Sequence, residues 1–151
     1  MNVIFLDFDG VLNDRKWLSR EGSRDDVDPE RVKLLNWLVR ATDAKIVISS
    51  TWRILHTLEE LRTILDRAGF IGEVIDVTPG GGGVRGPQIQ EWIDTNKFKG
   101  QFVILDDDSD MEHLMDKLVK TKFERGLQPA EVKAAIAMLT SPVDVPSPPE
   151  G

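Results

Sequence analysis

"VIFLDFDGVLN", residues 3–13, starts as an apolar run and ends on two carboxylates, Asp7 and Asp9, with Phe8 between them and Gly10 after. A continuous apolar run of this length matches a strand buried on both faces, as in a parallel sheet covered by helices. Acids at its end are costly to bury unless something pairs with them. Strand side chains alternate, so Asp7 and Asp9 are expected on one side and Phe8 on the other. Two neighbouring carboxylates repel unless a proton or a cation lies between them. Gly10 lets the chain turn sharply at that point.

The same design repeats along the chain. "AKIVISS" (44–50), "GEVIDVT" (72–78) and "QFVILDD" (101–107) read as strands, and "DKLVKTK" (116–122) as a weaker fifth. Helical periodicity lies between them. Over 29–41, Val32, Leu35, Leu38 and Val39 share a face, with Asp28 as N-cap and Pro29 in the first turn. Over 54–68, Leu58, Leu61, Ile64 and Leu65 make a stripe that Gly69 ends. Shorter helices are predicted over 88–95 and 129–139. Trp37 and Trp92 fall on apolar helix faces and are expected in the core. Strands alternating with helices predict a doubly wound, Rossmann-like α/β fold, a five-stranded parallel sheet with flanking helices. The first four strands leave the core on polar residues: Asp7 and Asp9, Ser49 and Ser50, Asp76 and Thr78, then Asp106 to Asp108. Ligands of such sheets bind beyond the carboxyl ends of the strands, so one edge is expected to hold a site.

The 151 residues, 40% of them hydrophobic, suit one domain over 1–140. The Pro-rich stretch "SPVDVPSPPEG" (141–151) has no period and is expected to be a disordered tail. There are no cysteines, which excludes disulfides and thiolate metal sites, and two histidines build no zinc framework alone. A net charge of −7 argues against a general polyanion-binding surface. No apolar run spans a bilayer and no leader pattern opens the chain, so a soluble cytoplasmic protein, with neither membrane nor obligate protein partner, is expected.

The cluster "LDDDSD" (105–110) supplies a second set of oxygens beside Asp7 and Asp9. Oxygen-only ligands suit Mg²⁺, which keeps waters and substrate phosphate in its shell. "TPGGGGVRGP" (78–87) lacks the Gly-Lys-Ser/Thr ending of a Walker loop and reads instead as a pliable loop delivering Arg85.

Four stretches together resemble the haloacid dehalogenase-like (HAD) phosphohydrolase superfamily. "FLDFDGVLN" resembles its first motif, Asp-x-Asp-Gly after an apolar strand. "KIVISS" resembles the second, a strand ending in Ser or Thr. "GVRGPQIQEW" resembles the third, a basic residue opening a helix, with Arg85 where Lys is usual. "FVILDDDSD" resembles the fourth, a strand ending in paired acids. Each is weak alone; four in order at strand ends are specific. Only short segments separate them, so the resemblance implies a capless member with no large cap domain. "DGVLN", "SSTWR" and "RGLQP" further resemble the phosphatase-like domains of RNA-repair and polynucleotide end-healing proteins.

The resemblance implies an Mg²⁺-dependent phosphomonoesterase working through an aspartyl-phosphate. Asp7 is the nucleophile; Asp9 is the general acid and then base, and a metal ligand through its carbonyl. Ser49 or Ser50 binds the phosphoryl oxygens, and Arg85 offsets their charge. Asp106, Asp107 or Asp110 completes the metal shell. An open site suits a nucleotide or nucleic-acid-end phosphate; a small metabolite is the alternative. Trp17 and Trp52 are candidate stacking platforms for a base. Arg53 is expected in a structural salt bridge. A different class, a receiver-like phosphoacceptor domain, would use Asp76.

Overall fold

The computed structural model describes residues 1–21 and 25–140; the Pro-rich tail lies outside the described residues. Five parallel strands form one sheet: β1 (Asn2–Leu6), β2 (Lys45–Ile48), β3 (Val74–Val77), β4 (Gln101–Asp106) and β5 (Leu118–Lys120). Their order is β3-β2-β1-β4-β5, so β1 is central and the chain reverses direction across the sheet between β1 and β4. The doubly wound expectation holds, and among the described residues no insertion large enough for a cap is present.

Both faces of the sheet are covered. Ile4 and Leu6 of β1, Ile46 and Ile48 of β2, and Val103 and Leu105 of β4 face one layer. That layer is α2 (Pro29–Thr42), α4 (Leu58–Arg67) and α6 (Pro129–Leu139). Val3, Phe5, Val47 and Ile104 face the other layer, built from α5 (Arg85–Thr95) and a 3₁₀ helix (Glu112–Lys117). The alternation explains why the strands read as unbroken apolar runs. Each fully buried side chain contributes about 1.5–3 kcal/mol.

Four local expectations are corrected. The helix predicted over 54–68 is two: α3 (Trp52–Leu55) ends at His56 in extended backbone, and α4 restarts behind Thr57. Thr57 and Glu60 form a reciprocal capping box, a sequence signal masked by the continuous apolar stripe. Helix α5 begins at Arg85, three residues before the predicted start, and tolerates Pro87 because first-turn N–H groups lack helical partners. The fifth strand is shorter than predicted, its first part being the 3₁₀ helix. Trp92 is buried as expected, whereas Trp37 is 37% exposed. The polar segment after Asn13 holds one short helix, α1 (Arg15–Leu18).

Candidate active site

The strand geometry of β1 stops at Leu6, although the Asp7 N–H still donates to Leu105 of β4. Beyond it the Phe8 carbonyl accepts from Val11, Leu12 and Asn13, which closes a tight loop. Gly10 sits in that loop at φ +84°, a left-handed conformation that favours glycine. A Cβ there would fall 2.8 Å from Asp107 Cβ and closer still to the carboxylate. Gly10 thus allows the first acidic loop to touch the second. Thr121, just past β5, donates to the Gly10 carbonyl at 2.6 Å and its own N–H donates to Asp106.

The chain reversal between β1 and β4 brings three acids together. Asp7, Asp106 and Asp107 each offer an oxygen, all within 4.8 Å of one another, a group that could hold a metal ion. Asp7 and Asp106 are buried. Arg85 reaches both from the start of α5: Nη1 lies 2.7 Å from Asp106 Oδ2 and 3.3 Å from Asp7 Oδ1. Asp110 fixes that helix start by accepting from the Arg85 N–H on Oδ2 and from the Gly86 N–H on its carbonyl. Gly86 is needed there, since a Cβ would collide with the Met111 carbonyl. Asp110 therefore supports Arg85 and does not join the three-acid group.

Burial pushes the Asp7 carboxyl well above its usual range, reinforced by Asp106 and opposed by Arg85. Burial likewise pushes Asp106 up to about 6, against the pull of Arg85 and of the Asp108 N–H. Arg85 loses ground to burial but is held more firmly charged by Asp7 and Asp106. One guanidinium offsets only part of this buried negative charge, so a further cation is favoured there. Hard carboxylate oxygens in that state fit a divalent cation such as Mg²⁺.

Two hydroxyls end β2, and they differ. The Ser50 hydroxyl accepts from the Trp52 N–H at 3.2 Å and so belongs to the turn. Ser49 Oγ is buried and has no hydrogen-bond partner among the described residues, so its donor is free for a ligand. Asp9 stands apart from the three-acid group. Its Oδ1 accepts from Trp52 Nε1 at 3.1 Å and from Asn13 Nδ2 at 3.4 Å. The strand ends at Leu6, so Asp9 is carried by the loop that follows and not by β1 itself. Trp52 is 7% exposed, packed on Phe8 and His56, so it is no free stacking platform. Trp17 carries Arg20 over its ring at 3.4 Å.

Sequence reading missed what Arg53 does. It donates to the carbonyls of Ser50, Thr78, Pro79, Gly80 and Gly81 and to Gln88 Oε1, with no carboxylate in its set. It pins the glycine loop that leads to Arg85 rather than forming a salt bridge. Asp76 is also accounted for: it accepts from Trp92 Nε1 at 2.8 Å and from the Val77 N–H, on edge strand β3.

Among the described residues no helix is long and apolar enough to cross a membrane. No curated protein and no solved structure matches the chain. A family model described as the HAD domain in Swiss Army Knife RNA repair proteins matches residues 3–132, which include all four strand-end motifs and the cluster of Asp7, Asp106 and Asp107. The chain belongs to this family of HAD domains.

Proposed function

We propose that this domain is a phosphomonoesterase that uses Asp7 as nucleophile and Mg²⁺ as cofactor, and that removes phosphate from a nucleic-acid or nucleotide end. The observation that carries the reading is the meeting of Asp7, Asp106, Asp107 and Arg85 beside the unpartnered hydroxyl of Ser49. HAD-type phosphatase chemistry follows from the family, and its RNA-repair setting supports a phosphorylated nucleic-acid substrate.

Asp7, Asp106 and Asp107, with the Asp9 carbonyl, would hold the Mg²⁺. When bound, that ion offsets the buried negative charge and lets a phosphate dianion approach. Asp7 attacks phosphorus, forming an acyl-phosphate as the ester P–O bond breaks. Asp9 gives its proton to the departing oxygen. It then takes a proton from water, whose oxygen attacks the same phosphorus and frees inorganic phosphate and Asp7. Ser49 donates to a phosphoryl oxygen and Arg85 turns its guanidinium to the others, so charge is met by fixed donors. Ser50 stays in the turn that presents Ser49.

The test is phosphate release from 3′- and 5′-phosphorylated oligonucleotides, nucleotides and sugar phosphates, with Mg²⁺ or chelator, beside Asp7→Asn. Hydrolysis that requires Mg²⁺ and Asp7 and favours phosphorylated ends supports the proposal. Turnover that survives chelation or Asp7→Asn removes the mechanism. Turnover of sugar phosphates alone keeps the mechanism and removes the nucleic-acid substrate.

A further inference from the structure

A pocket of about 370 Å³ opens beside Asp9, lined by Asp9, Thr51, Trp52, Ile54, Leu55 and His56. Its walls come from the loop after β1 and from α3, the short helix that follows Ser49 and Ser50. We propose that this pocket is the leaving-group subsite, and that it takes the terminal nucleoside of the phosphate ester with the base laid against Ile54 and Leu55. The proposal rests on the phosphatase reading above and adds what that reading leaves open, namely which residues read the group that departs.

Position gives the first argument. Proton transfer to the departing oxygen requires it within hydrogen-bond reach of Asp9. The nucleophile and the departing oxygen lie roughly in line through phosphorus, so the organic group extends away from Asp7. The pocket is the space that Asp9 opens onto. Its volume lies within the range of small-molecule sites.

Chemistry gives the second. Ile54 is 52% exposed and Leu55 is 78% exposed, adjacent residues on one short helix. The break at His56 separates α3 from α4, and among the described residues that pair stays exposed. Apolar side chains in a polar site fix a flat, uncharged group better than a phosphate. The lining includes no Lys or Arg, so the polyanionic backbone of a strand does not belong there. A base and its sugar match the apolar shelf, and Thr51 and His56 supply polar edges. The far wall is rigid: Trp52 is held by Asp9, Phe8 and His56 together.

The experiment compares nucleoside 3′- and 5′-monophosphates with the corresponding ribose phosphates that lack a base. For the native protein, the base is expected to raise kcat/KM about tenfold at one of the two ends, as an apolar contact of this size allows. In Leu55→Ser the ratio between nucleotide and base-free ester is expected to fall toward one. Leu55 is exposed, so the variant loses no core packing; Ile54→Ser serves as the second variant, and circular dichroism checks both folds. Equal turnover of nucleotide and base-free ester by the native protein overturns the subsite. So does an unchanged ratio in both variants. If Asp7-dependent hydrolysis is seen only on p-nitrophenyl phosphate, the phosphatase stands and the nucleoside subsite falls. If no ester is hydrolysed, both fall.

Discussion

One nitrogen of Arg85, Nη1, bridges Asp106 Oδ2 at 2.7 Å and Asp7 Oδ1 at 3.3 Å, and so joins the ends of β4 and β1. The guanidinium is itself mostly buried, with 15% of the side chain exposed. A lysine could supply the charge from a single point but not the fork of donors. Arg85→Ala is expected to lower kcat by about 10²–10³-fold, the usual cost of losing a preorganised donor to transition-state charge. Arg85→Lys is expected to fall between the two. Phosphate release under saturating substrate measures the order. Equal activity of all three would remove Arg85 from the site.

Asp7→Asn separates chemistry from stability. Native Asp7 is buried and repelled by Asp106, which raises its carboxyl pKa. Asparagine removes that repulsion while keeping the shape. The variant is expected to lose acyl-phosphate formation and at least about 10³-fold in kcat, since the proposed nucleophile is removed. Its metal-free melting temperature at neutral pH is expected to equal or exceed that of the native protein. Calorimetry beside trapping of the phosphoenzyme checks both halves.

The raised acids also set a pH dependence. A carboxyl whose folded pKa exceeds its unfolded value holds more protons in the folded state between those two values. Metal-free stability therefore falls as pH rises through that window. For Asp106 the window runs from 3.8 to about 6, and burial of Asp7 shifts its carboxyl in the same direction. A divalent cation binds the ionised acids, so it competes with protons. Added Mg²⁺ is expected to raise the melting temperature more at pH 7.5 than at pH 5. An equal rise at both would mean that the acids are not the ligands.

Gly10 tests the contact between the two acidic loops. Its φ of +84° is unfavourable for a side chain, and a Cβ there would run into Asp107. Gly10→Ala is expected to cost about 1–3 kcal/mol in stability. It is also expected to weaken Mg²⁺ binding by about 10–100-fold, because Asp107 must move. Isothermal titration of the folded variant measures the second effect. Tight binding in a destabilised variant would show that Asp107 is not needed for the ion.

These residues differ in how far the sequence announces them. Asp7, Ser49, Asp106 and Asp107 were legible because each follows an apolar run buried on both faces. The reversal of strand order then collects them at one edge. Arg53 and Thr121 were not legible. They act on backbone carbonyls, and no sequence pattern marks which carbonyl an arginine or threonine will reach. The partners of Asp9 were not legible for a different reason. The strand ends at Leu6, so Asp9 lies in a loop whose turn Phe8 and Gly10 dictate, and there Asn13 and Trp52 donate to it. The break between α3 and α4 was written in Thr57 and Glu60, yet a continuous stripe of apolar residues outweighed it.

The loop after β1 yields the most specific expectation. Trp52 Nε1 and Asn13 Nδ2 both donate to Oδ1 of Asp9. In the proposed mechanism Oδ2 would then exchange the proton with the leaving group, and Trp52 would keep it aimed. Phenylalanine keeps the packing against Phe8 and His56 but removes the N–H. Trp52→Phe is expected to slow hydrolysis of a ribose phosphate by about 10–100-fold, since an alkoxide departs poorly without a proton. It is expected to slow p-nitrophenyl phosphate by less than about threefold, because that phenolate leaves without general-acid help. A purely structural role would lower both rates alike. Equal losses would therefore assign Trp52 to packing, and a loss confined to the ribose ester assigns it to aiming Asp9.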